Sequence, residues 1–330
     1  MLPAPGDGVG QAFHELAATT LGEHSVRARC DALASRALEL ADDPEWGPRL
    51  QPPSLAHAGP WVIREHLERE AARELVRRHY AVTDAGLARP GAWMLAPGVE
   101  AGLARLATAG RDGARALLAE GLSEAHPRLH VGALLSDAFR RRLLAEIECF
   151  HDWARAQRLP ATPPNSMNHH GLLLDDLGLR ALLDGVLTQL VRPLAAVLYP
   201  EFGGATLDEH HGFIVEYGER GDHDLAFHVD DSEVTLNVCL GERFEGGELL
   251  FRGLRCEAHL QSGWTPEELV RFTHRPGYAL LHAGKHRHEA LPVDSGRRVN
   301  LILWCRSREF RARADPRQAC TPWCGASAQR

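Results

Sequence analysis

Histidine and aspartate residues in the C-terminal half of the chain have the types and the spacing of a metal site. The sequence has 19 histidines, and nine of them lie between His210 and His288. His228 and Asp230 stand two residues apart, and alternate residues of a strand project from the same face, so both side chains can reach one ion. A third ligand on another strand, such as His288, would complete two histidines and one carboxylate. That set holds Fe(II) with positions left for a cosubstrate and oxygen.

One arginine indicates which cosubstrate the metal would share. Arg298 lies ten residues past His288 and opens a strand pattern that runs to Trp304. A guanidinium there can form a bidentate pair with a carboxylate held inside a barrel. This suits 2-oxoglutarate, which chelates a metal at one end and carries a carboxylate at the other. Alternation puts Arg298 on the side of Asn300 and Trp304 and points Arg297 away; the alternative is a surface cation beside Arg297.

Composition and charge exclude several other kinds of chemistry. The chain has 330 residues, of which 44% are hydrophobic and 25% are charged, as in a globular protein with one or two cores. Lys285 is the only lysine, and His286 follows it, so the Gly-Lys-Ser/Thr of a phosphate-binding P-loop is missing. The formal charge of -7 and the pI near 6.2 argue against nucleic acid as a partner.

The cysteines and the N-terminus bear on the compartment. The sequence has seven scattered cysteines, an odd number, and no Asn-X-Ser/Thr sequence, which is typical of a reducing environment. Residues 1–25 contain no arginine or lysine and no apolar core of a signal peptide. No run of about 18 apolar residues occurs anywhere. We therefore expect a cytoplasmic protein without a membrane span.

The periodicity of the apolar residues predicts an α+β fold. Between residues 11 and 121 the period is helical. Ser136 is placed to cap a helix that runs to Gln157, and a second helix spans the apolar set at 179–198, with a kink at Pro193. Beyond that helix the period changes to two, in short stretches separated by glycine-rich turns. This pattern predicts an antiparallel sandwich or barrel.

Several motifs together resemble the prolyl-4-hydroxylase type of Fe(II)/2-oxoglutarate-dependent dioxygenase. They are His228-X-Asp230, TLNVCL at 235–240, FEGGELLF at 244–251, PGYALLH at 276–282, His288 and GRR at 296–298. A narrower set resembles the subfamily of 2-oxoglutarate and iron-dependent oxygenase domain-containing protein 2: PNSMN at 164–168, LYP at 198–200, LNV at 236–238 and NLILW at 300–304. The resemblance implies a double-stranded β-helix (jelly-roll) core at 126–308, buttressed by helices. A helical accessory region, 1–125, would precede it, and a tail, 309–330, would follow.

By position, the resemblance implies an iron site of His228, Asp230 and His288. His282 and His286 compete with His288 for the third position. Only His288 stands ten residues before the arginine, and the Leu-Pro-Val that comes after it matches the spacing of the family. We therefore expect His288 to be the ligand.

The resemblance also implies how 2-oxoglutarate would be held. Arg298 would bind its far carboxylate, and Tyr217, on an earlier strand, would lie against the cosubstrate. Thr235 and Asn237 line the inner side of the strand that follows the triad's first histidine, and Asn237 is the preferred polar contact. Cys239 stands in that strand where many relatives have a tyrosine, so these contacts depart from the family pattern in detail.

The implied activity is hydroxylation of a C–H bond with Fe(II), O2 and 2-oxoglutarate, which releases succinate and CO2, as in prolyl and lysyl hydroxylases. No catalytic side chain is needed beyond the metal centre, and ascorbate would serve as reductant. The substrate, a protein or a small molecule, is left open. Two other classes remain. One is an inactive jelly-roll scaffold or binding module, and the other is a cupin-like metalloenzyme that does not use 2-oxoglutarate.

A second metal site is conceivable near the C-terminus. Cys320 and Cys324 have a spacing that zinc sites allow. No second Cys/His pair lies close to them in sequence. Cys256 and Cys305 are the expected partners if zinc binds there.

Overall fold

A computed structural model describes residues 8–20, 25–313 and 320–326, except for the side chains of 111 and 114–120. Contacts divide the chain into two units. The first comprises Met1–Ala85 and Ala145–Leu179, and the second comprises Gly86–Leu144 and Arg180–Arg330. The predicted domain boundaries at 125 and 308 concern independent folding, which a division by contacts does not test, so they stay predictions.

Helices dominate the first part of the described chain, and strands dominate the part after residue 208. The helices are α1 (Gly8–Thr20), α2 (Val26–Glu39), α3 (Gly47–Leu50), α4 (Pro60–His79), α5 (Val99–Glu120), α6 (Asp137–Ala156), α7 (Arg180–Val186), α8 (Arg192–Leu198) and α9 (Arg308–Ala312). The strands are β1 (Leu122–His126), β2 (Leu129–Gly132), β3 (Gly171–Leu173), β4 (Glu209–Gly218), β5 (Leu225–His228), β6 (Val234–Gly241), β7 (Phe244–Gly246), β8 (Leu249–Leu254), β9 (Leu269–Phe272), β10 (Ala279–Ala283), β11 (His286–Ala290) and β12 (Val293–Arg306).

The first unit is built on the helices that the N-terminal periodicity predicted. The Ser25 hydroxyl accepts a hydrogen bond from the backbone N–H of Ala28 and so caps α2. Pro60 occupies the first turn of α4, where its missing N–H costs nothing. The helices bury an apolar core that includes Phe13, Leu33 and Leu67. The helical character of this region is confirmed.

A buried ion-pair cluster also holds the first unit together. The Nε of Arg73 donates to Asp176 at 2.7 Å, and its Nη1 donates to Glu70 at 2.8 Å. Arg77 donates to Asp176 as well, at 2.8 Å. Arg73, Asp176 and Glu70 are all buried, so each charge depends on its partners for stabilisation.

The second unit contains two antiparallel sheets that form the jelly roll. In one, the strand order is β1-β2-β10-β6-β12-β4, and β7 also pairs with β12. In the other, the order is β5-β11-β8-β9. The ring of Phe251 in the smaller sheet lies 5.4 Å from that of His282 in the larger one, so these faces meet. The predicted jelly-roll core and α+β class are confirmed.

The register of the larger sheet gathers polar residues on one face. Arg298 of β12 lies opposite Tyr217 of β4, and Trp304 of β12 lies opposite Thr235 of β6. Residues that face each other across an antiparallel pair project from the same side. Arg298, Tyr217, Trp304 and Thr235 therefore share a face, and Arg297 belongs to the other, as predicted.

Two predicted helices follow the sequence closely. The Ser136 hydroxyl accepts from the N–H of Phe139 at 2.9 Å and caps α6. The kink expected at Pro193 takes the form of a π-helical turn, Leu187–Val191, just before α8. Proline has no N–H to donate to the preceding turn, so the hydrogen-bond pattern changes at this point.

By length and composition alone, Arg180–Leu198 is the one stretch among the described residues that could cross a membrane. The sequence predicted no membrane-spanning stretch. Half of the apolar window is buried inside the protein, as in the core helix of a folded domain. The composition of this stretch is therefore weak support for membrane insertion.

We expect Arg73→Met to destabilise the protein strongly, because buried Glu70 would lose its guanidinium partner and buried Asp176 would keep only Arg77. Breaking a buried ion pair in this way costs about 3–5 kcal/mol. The matched control is Arg64→Met, since Arg64 pairs with Glu68 at 4.0 Å on the surface. Exposed pairs contribute less than about 1 kcal/mol. Urea unfolding followed by helical circular dichroism measures both changes, and equal losses would contradict the role of the cluster.

Candidate functional site

Pairing between β5 and β11 brings the two histidines together. His228 lies directly opposite His288, and their ring centroids are 4.3 Å apart. Asp230 lies beyond the end of β5, where its backbone N–H donates to the carbonyl of Gly284 at 3.0 Å. One ligand atom from each of His228, Asp230 and His288 lies within 4.8 Å of the other two. The structure thus brings the predicted triad together, although Asp230 reaches it from the segment after the strand and not from the strand itself.

Backbone carbonyls orient both imidazoles. The Nδ1 of His228 lies 2.8 Å from the carbonyl of Ala226, and the Nδ1 of His288 lies 2.8 Å from that of His286. A carbonyl only accepts, so each Nδ1 carries a proton and each Nε2 is the nitrogen turned toward Asp230. The Nε2 atoms lie 3.5 Å (His228) and 3.8 Å (His288) from Oδ1 of Asp230. Carbonyls that fix a histidine in this way are typical partners of metal ligands.

The electrostatics of the site keep His288 neutral and Asp230 ionised. Burial lowers the pKa of His288 to about 3, so its imidazole is neutral. Burial alone would raise the pKa of Asp230, but His288 and His228 outweigh it and hold this pKa well below its usual range. Burial also acts on His228, where the hydrogen bond to Asp230 outweighs it and raises the pKa. A carboxylate with two imidazole nitrogens in a buried site is a donor set that fits Fe(II).

The second carboxylate oxygen of Asp230 has its own neighbours. Thr235 donates its hydroxyl hydrogen to Oδ2 of Asp230 at 2.6 Å, and the Ser232 hydroxyl lies 2.7 Å from that of Thr235. The Nε2 of His282 is 3.7 Å from the same Oδ2. Oδ1 therefore remains directed at the two histidines of the triad. Sequence reasoning missed this role of Thr235, because its contact with Asp230 depends on the turn after β5.

The two histidines that competed for the third position lie outside the group of three converging ligand atoms. His282 faces Oδ2 of Asp230, on the side away from His228. His286 is buried and packs edge-on against Phe251, at 4.9 Å between centroids. The Phe251 ring also stacks on His288 at 5.2 Å, which limits how that imidazole can turn. The motif at 244–251 contained this phenylalanine, but its spacing alone did not indicate such a contact.

Arg298 is a buried cation without a carboxylate partner. Only 1% of it is exposed, and among the described residues no carboxylate lies within 4.0 Å of its guanidinium. Its Nη1 donates to the carbonyl of Gly247, and its Nε has no partner in the described part of the chain. Burial lowers the pKa of Arg298, yet arginine stays protonated in proteins. A buried charge in this state is costly, so Arg298 is suited to binding an anionic ligand.

Tyr217 supports this guanidinium. The Arg298 carbon Cζ lies 4.1 Å from the centroid of the Tyr217 ring, close enough for a cation–π contact. Both residues are buried and lie opposite each other in register. The structure therefore brings the predicted tyrosine and arginine into contact with one another.

Asn237 already has a side-chain partner. Its Oδ1 accepts from Nδ2 of Asn300 at 2.6 Å, and that Nδ2 lies 3.2 Å from Nε2 of His274. Burial holds the pKa of His274 well below its usual range, so its ring is neutral. Strand alternation predicted that Asn300 shares a face of the strand with Arg298, but it indicated no function for Asn300. No motif indicated His274. The predicted contacts of Asn237 and Thr235 with the cosubstrate stay predictions.

Comparisons with known proteins agree with these features. A family model described as the OGFOD2-like domain matches residues 103–204. The 2-oxoglutarate and iron-dependent oxygenase domain-containing protein CP2 of Arabidopsis thaliana is 48% identical over 204 residues, which are 62% of this chain and 52% of the relative. The 2-oxoglutarate and iron-dependent oxygenase domain-containing protein 2 of Xenopus tropicalis is 38% identical over 187 residues, 56% of this chain and 49% of the relative. The chain spans about half the length of the curated relatives it matches.

Among solved structures, a Pseudomonas putida prolyl-4-hydroxylase aligns over 65% of this chain and 97% of its own, with a TM-score of 0.38 and 17% identity.

The resemblance predicted from the motifs is confirmed by the sequence relatives. The alignment with the CP2 protein covers 62% of the length of this chain. This chain is a homologue of the 2-oxoglutarate and iron-dependent oxygenase domain-containing proteins.

Proposed function

We propose that the chain is an Fe(II)- and 2-oxoglutarate-dependent dioxygenase that hydroxylates a C–H bond. The observation that carries this proposal is the buried Arg298, which has no carboxylate partner among the described residues. It lies on the face of the sheet that also carries Thr235, and Thr235 donates to the triad's Asp230. The cation suited to a carboxylate and the hydroxyl that contacts the triad thus share one face of the sheet.

His228, Asp230 and His288 would hold the iron as a facial set, with the remaining positions left for the cosubstrate and oxygen. Bound there, Fe(II) would supply the oxidative chemistry that converts 2-oxoglutarate, O2 and a C–H substrate into succinate, CO2 and the hydroxylated substrate. The chain's own contribution is geometry, since the carbonyls behind each histidine keep both Nε2 atoms on Asp230. No side chain is required as a general base.

Arg298 would recognise the far carboxylate of 2-oxoglutarate. Its Nη1 is held by the carbonyl of Gly247, and its planar group lies over the Tyr217 ring. The guanidinium is therefore fixed before any ligand arrives, and little conformational entropy is lost on binding. A bidentate pair would also neutralise the buried charge. Asn237 and Thr235 are expected to add polar contacts.

Two other functions make different predictions. A scaffold with the same fold would bind metal without turnover of any substrate, and a cupin-like enzyme would turn over without 2-oxoglutarate. Succinate formation from 2-oxoglutarate, in the presence of O2, Fe(II) and ascorbate as reductant, separates them. We expect substrate-dependent succinate production that is lost in His228→Ala. The substrate is proposed only as a class, a prolyl- or lysyl-like side chain or a small molecule of similar size.

We expect Arg298→Met to weaken 2-oxoglutarate binding by at least about 30-fold, the equivalent of about 2 kcal/mol for a lost buried charge pair. Metal affinity should stay unchanged, since Arg298 is not part of the triad. Calorimetric titration of 2-oxoglutarate into Mn(II)-loaded protein measures the change.

Arg297→Met is the matched control for this experiment. Arg297 lies on the opposite face and pairs with Glu216 at 2.7 Å and Glu242 at 3.2 Å. Its 2-oxoglutarate affinity should equal that of the wild type. Metal-dependent activity that survives unchanged in Arg298→Met would favour the cupin-like alternative and reject the proposed cosubstrate site.

We expect Thr235→Val to lower the affinity for Fe(II) or Mn(II) by about 10–100-fold, the usual effect of removing a partner of a metal ligand. Valine has the shape of threonine but cannot donate to Oδ2 of Asp230, so packing is kept. Thr235→Ser, which retains the hydroxyl, should bind metal nearly as well as the wild type. Metal titration of the three proteins provides the comparison, and wild-type affinity in Thr235→Val would show that this hydroxyl does not position the carboxylate.

A further inference from the structure

We infer that the second unit carries another metal site, a structural zinc site formed by Cys256, His259, Cys320 and Cys324. One ligand atom from each of these residues lies within 4.8 Å of the other three. Three sulfurs and one imidazole nitrogen form the Cys3His set that structural zinc takes. This site is separate from the triad and does not depend on the proposed oxygenase function.

The distances are close to those of a zinc tetrahedron. The Nδ1 of His259 lies 3.2 Å from Sγ of Cys256 and 3.8 Å from Sγ of Cys324. With Zn–S of about 2.3 Å and Zn–N of about 2.0 Å, the edges of a tetrahedron are about 3.5 Å between sulfur and nitrogen and about 3.8 Å between sulfurs. The side chains would need to move by less than about 1 Å for all four donors to bind one ion.

Each half of the site is a short turn that directs two ligands to one side. Cys256 and His259 are three residues apart in the loop after β8, and the N–H of His259 donates to the carbonyl of Cys256 at 2.9 Å. Cys320 and Cys324 belong to the C-terminal segment, where the N–H of Cys324 donates to the carbonyl of Thr321 at 3.1 Å. Two ligand pairs, each with a spacing of three or four, are the usual construction of such sites.

The four residues form a partly buried set that needs no further ligand. Cys256 and Cys324 are buried, and His259 and Cys320 are half-buried. With four protein ligands the coordination is complete, which is the mark of a structural zinc. No disulfide joins the cysteines in the described part of the chain.

The site would fasten the C-terminal segment to a loop that supports the iron-binding strand. Arg255, next to Cys256, is fully buried and donates to Gly263 at 2.5 Å and to both carboxylate oxygens of Glu268. A Cβ on Gly325 would come within 2.4 Å of Arg255, so the segment crosses directly over this ion pair.

The same loop touches β11. Arg287, the neighbour of His288, donates to the carbonyls of Ser262 at 2.6 Å and Leu260 at 3.2 Å. The C-terminal segment adds a second anchor, since Trp323 packs against Phe202 at 4.8 Å between ring centroids. Zinc would therefore join the C-terminal segment to the loop that contacts the strand of His288.

The sequence indicated three of the four proposed ligands. Cys256 was named as a partner of Cys320 and Cys324, and the structure brings it to them. Cys305 was named too, but it is buried in β12 with its sulfur directed at the carbonyl of Leu303, 3.7 Å away. His259 was missed, although its spacing of three residues from Cys256 was the available signal.

The test is metal analysis of the full chain purified under reducing conditions. We use Asp230→Ala as the background, so that zinc in the triad is not counted. The expected result is one zinc per chain, lost in Cys324→Ser and in His259→Ala. Cys149→Ser is the matched control and should keep the zinc, because Cys149 is exposed and lies outside the cluster.

Two further measurements guard against variants that merely fail to fold. His259→Cys supplies a fourth sulfur and should retain one zinc where His259→Ala does not. Cobalt(II) added to the zinc-depleted background protein should give the strong visible and near-ultraviolet bands of a tetrahedral thiolate site, and zinc should abolish them. Zinc that is retained by both Cys324→Ser and His259→Ala would overturn the proposal.

A disulfide is the competing explanation of the clustered cysteines. Thiol titration of the denatured, unreduced chain should give all seven thiols of the sequence if zinc protects them. Two fewer thiols together with no zinc would mean that the cluster forms a disulfide, and would also overturn the proposal.

Discussion

The pairing of β11 with β5 on one side and β8 on the other determines where the candidate metal ligands lie. It sets His288 opposite His228 and opposite Phe251, which stacks on its ring. Because side chains alternate along a strand, a slip of one residue would turn His288 away and bring Arg287 into its place. Arg287 opposes such a slip from the other face, where it donates to the carbonyl of Arg252 at 2.7 Å.

The two sheets contribute different side chains to the candidate site. The smaller sheet carries the two imidazoles of the triad, and the larger sheet carries the buried cation Arg298 and the hydroxyl of Thr235. Asp230 lies between them, in contact with both. The separation of the metal end from the anion end is therefore set by the packing of the sheets. A change in that packing would affect both ends together, although no residue of the site had been replaced.

Sequence spacing was sufficient wherever a local rule applied. Alternation on a strand placed Arg298 and Arg297 on opposite faces, and the capping hydroxyl of Ser136 marked the start of α6. Contacts between distant segments were harder, because separation along the chain carries no information on distance in space. The register that buries Cys305 inside β12 and the loop that brings His259 to Cys324 are both of this kind.

The same limit applies to the triad. The spacing of His228 and Asp230 predicted convergence correctly, but for the wrong reason, since β5 ends before Asp230. The hydroxyl of Thr235 has no motif of its own, and its partner becomes apparent only once the chain turns after β5. The fold class and the grouping of His228, Asp230 and His288 were thus predictable, whereas the residues that orient these side chains required the tertiary structure.

The four-ligand cluster near the C-terminus and the three-ligand triad differ in how readily they would exchange metal. Both kinds of site bind zinc more tightly than Fe(II): the thiolate-rich cluster does so, and so does the triad of nitrogen and oxygen donors with open positions. Protein made in zinc-rich medium would therefore carry zinc at both sites, and only the triad, which is open, would release it quickly. Mild chelation followed by Fe(II) would reload the triad and leave the cluster intact. Harsh chelation would remove both ions. The loop that contacts the strand of His288 would then no longer be joined to the C-terminal segment when Fe(II) is added back.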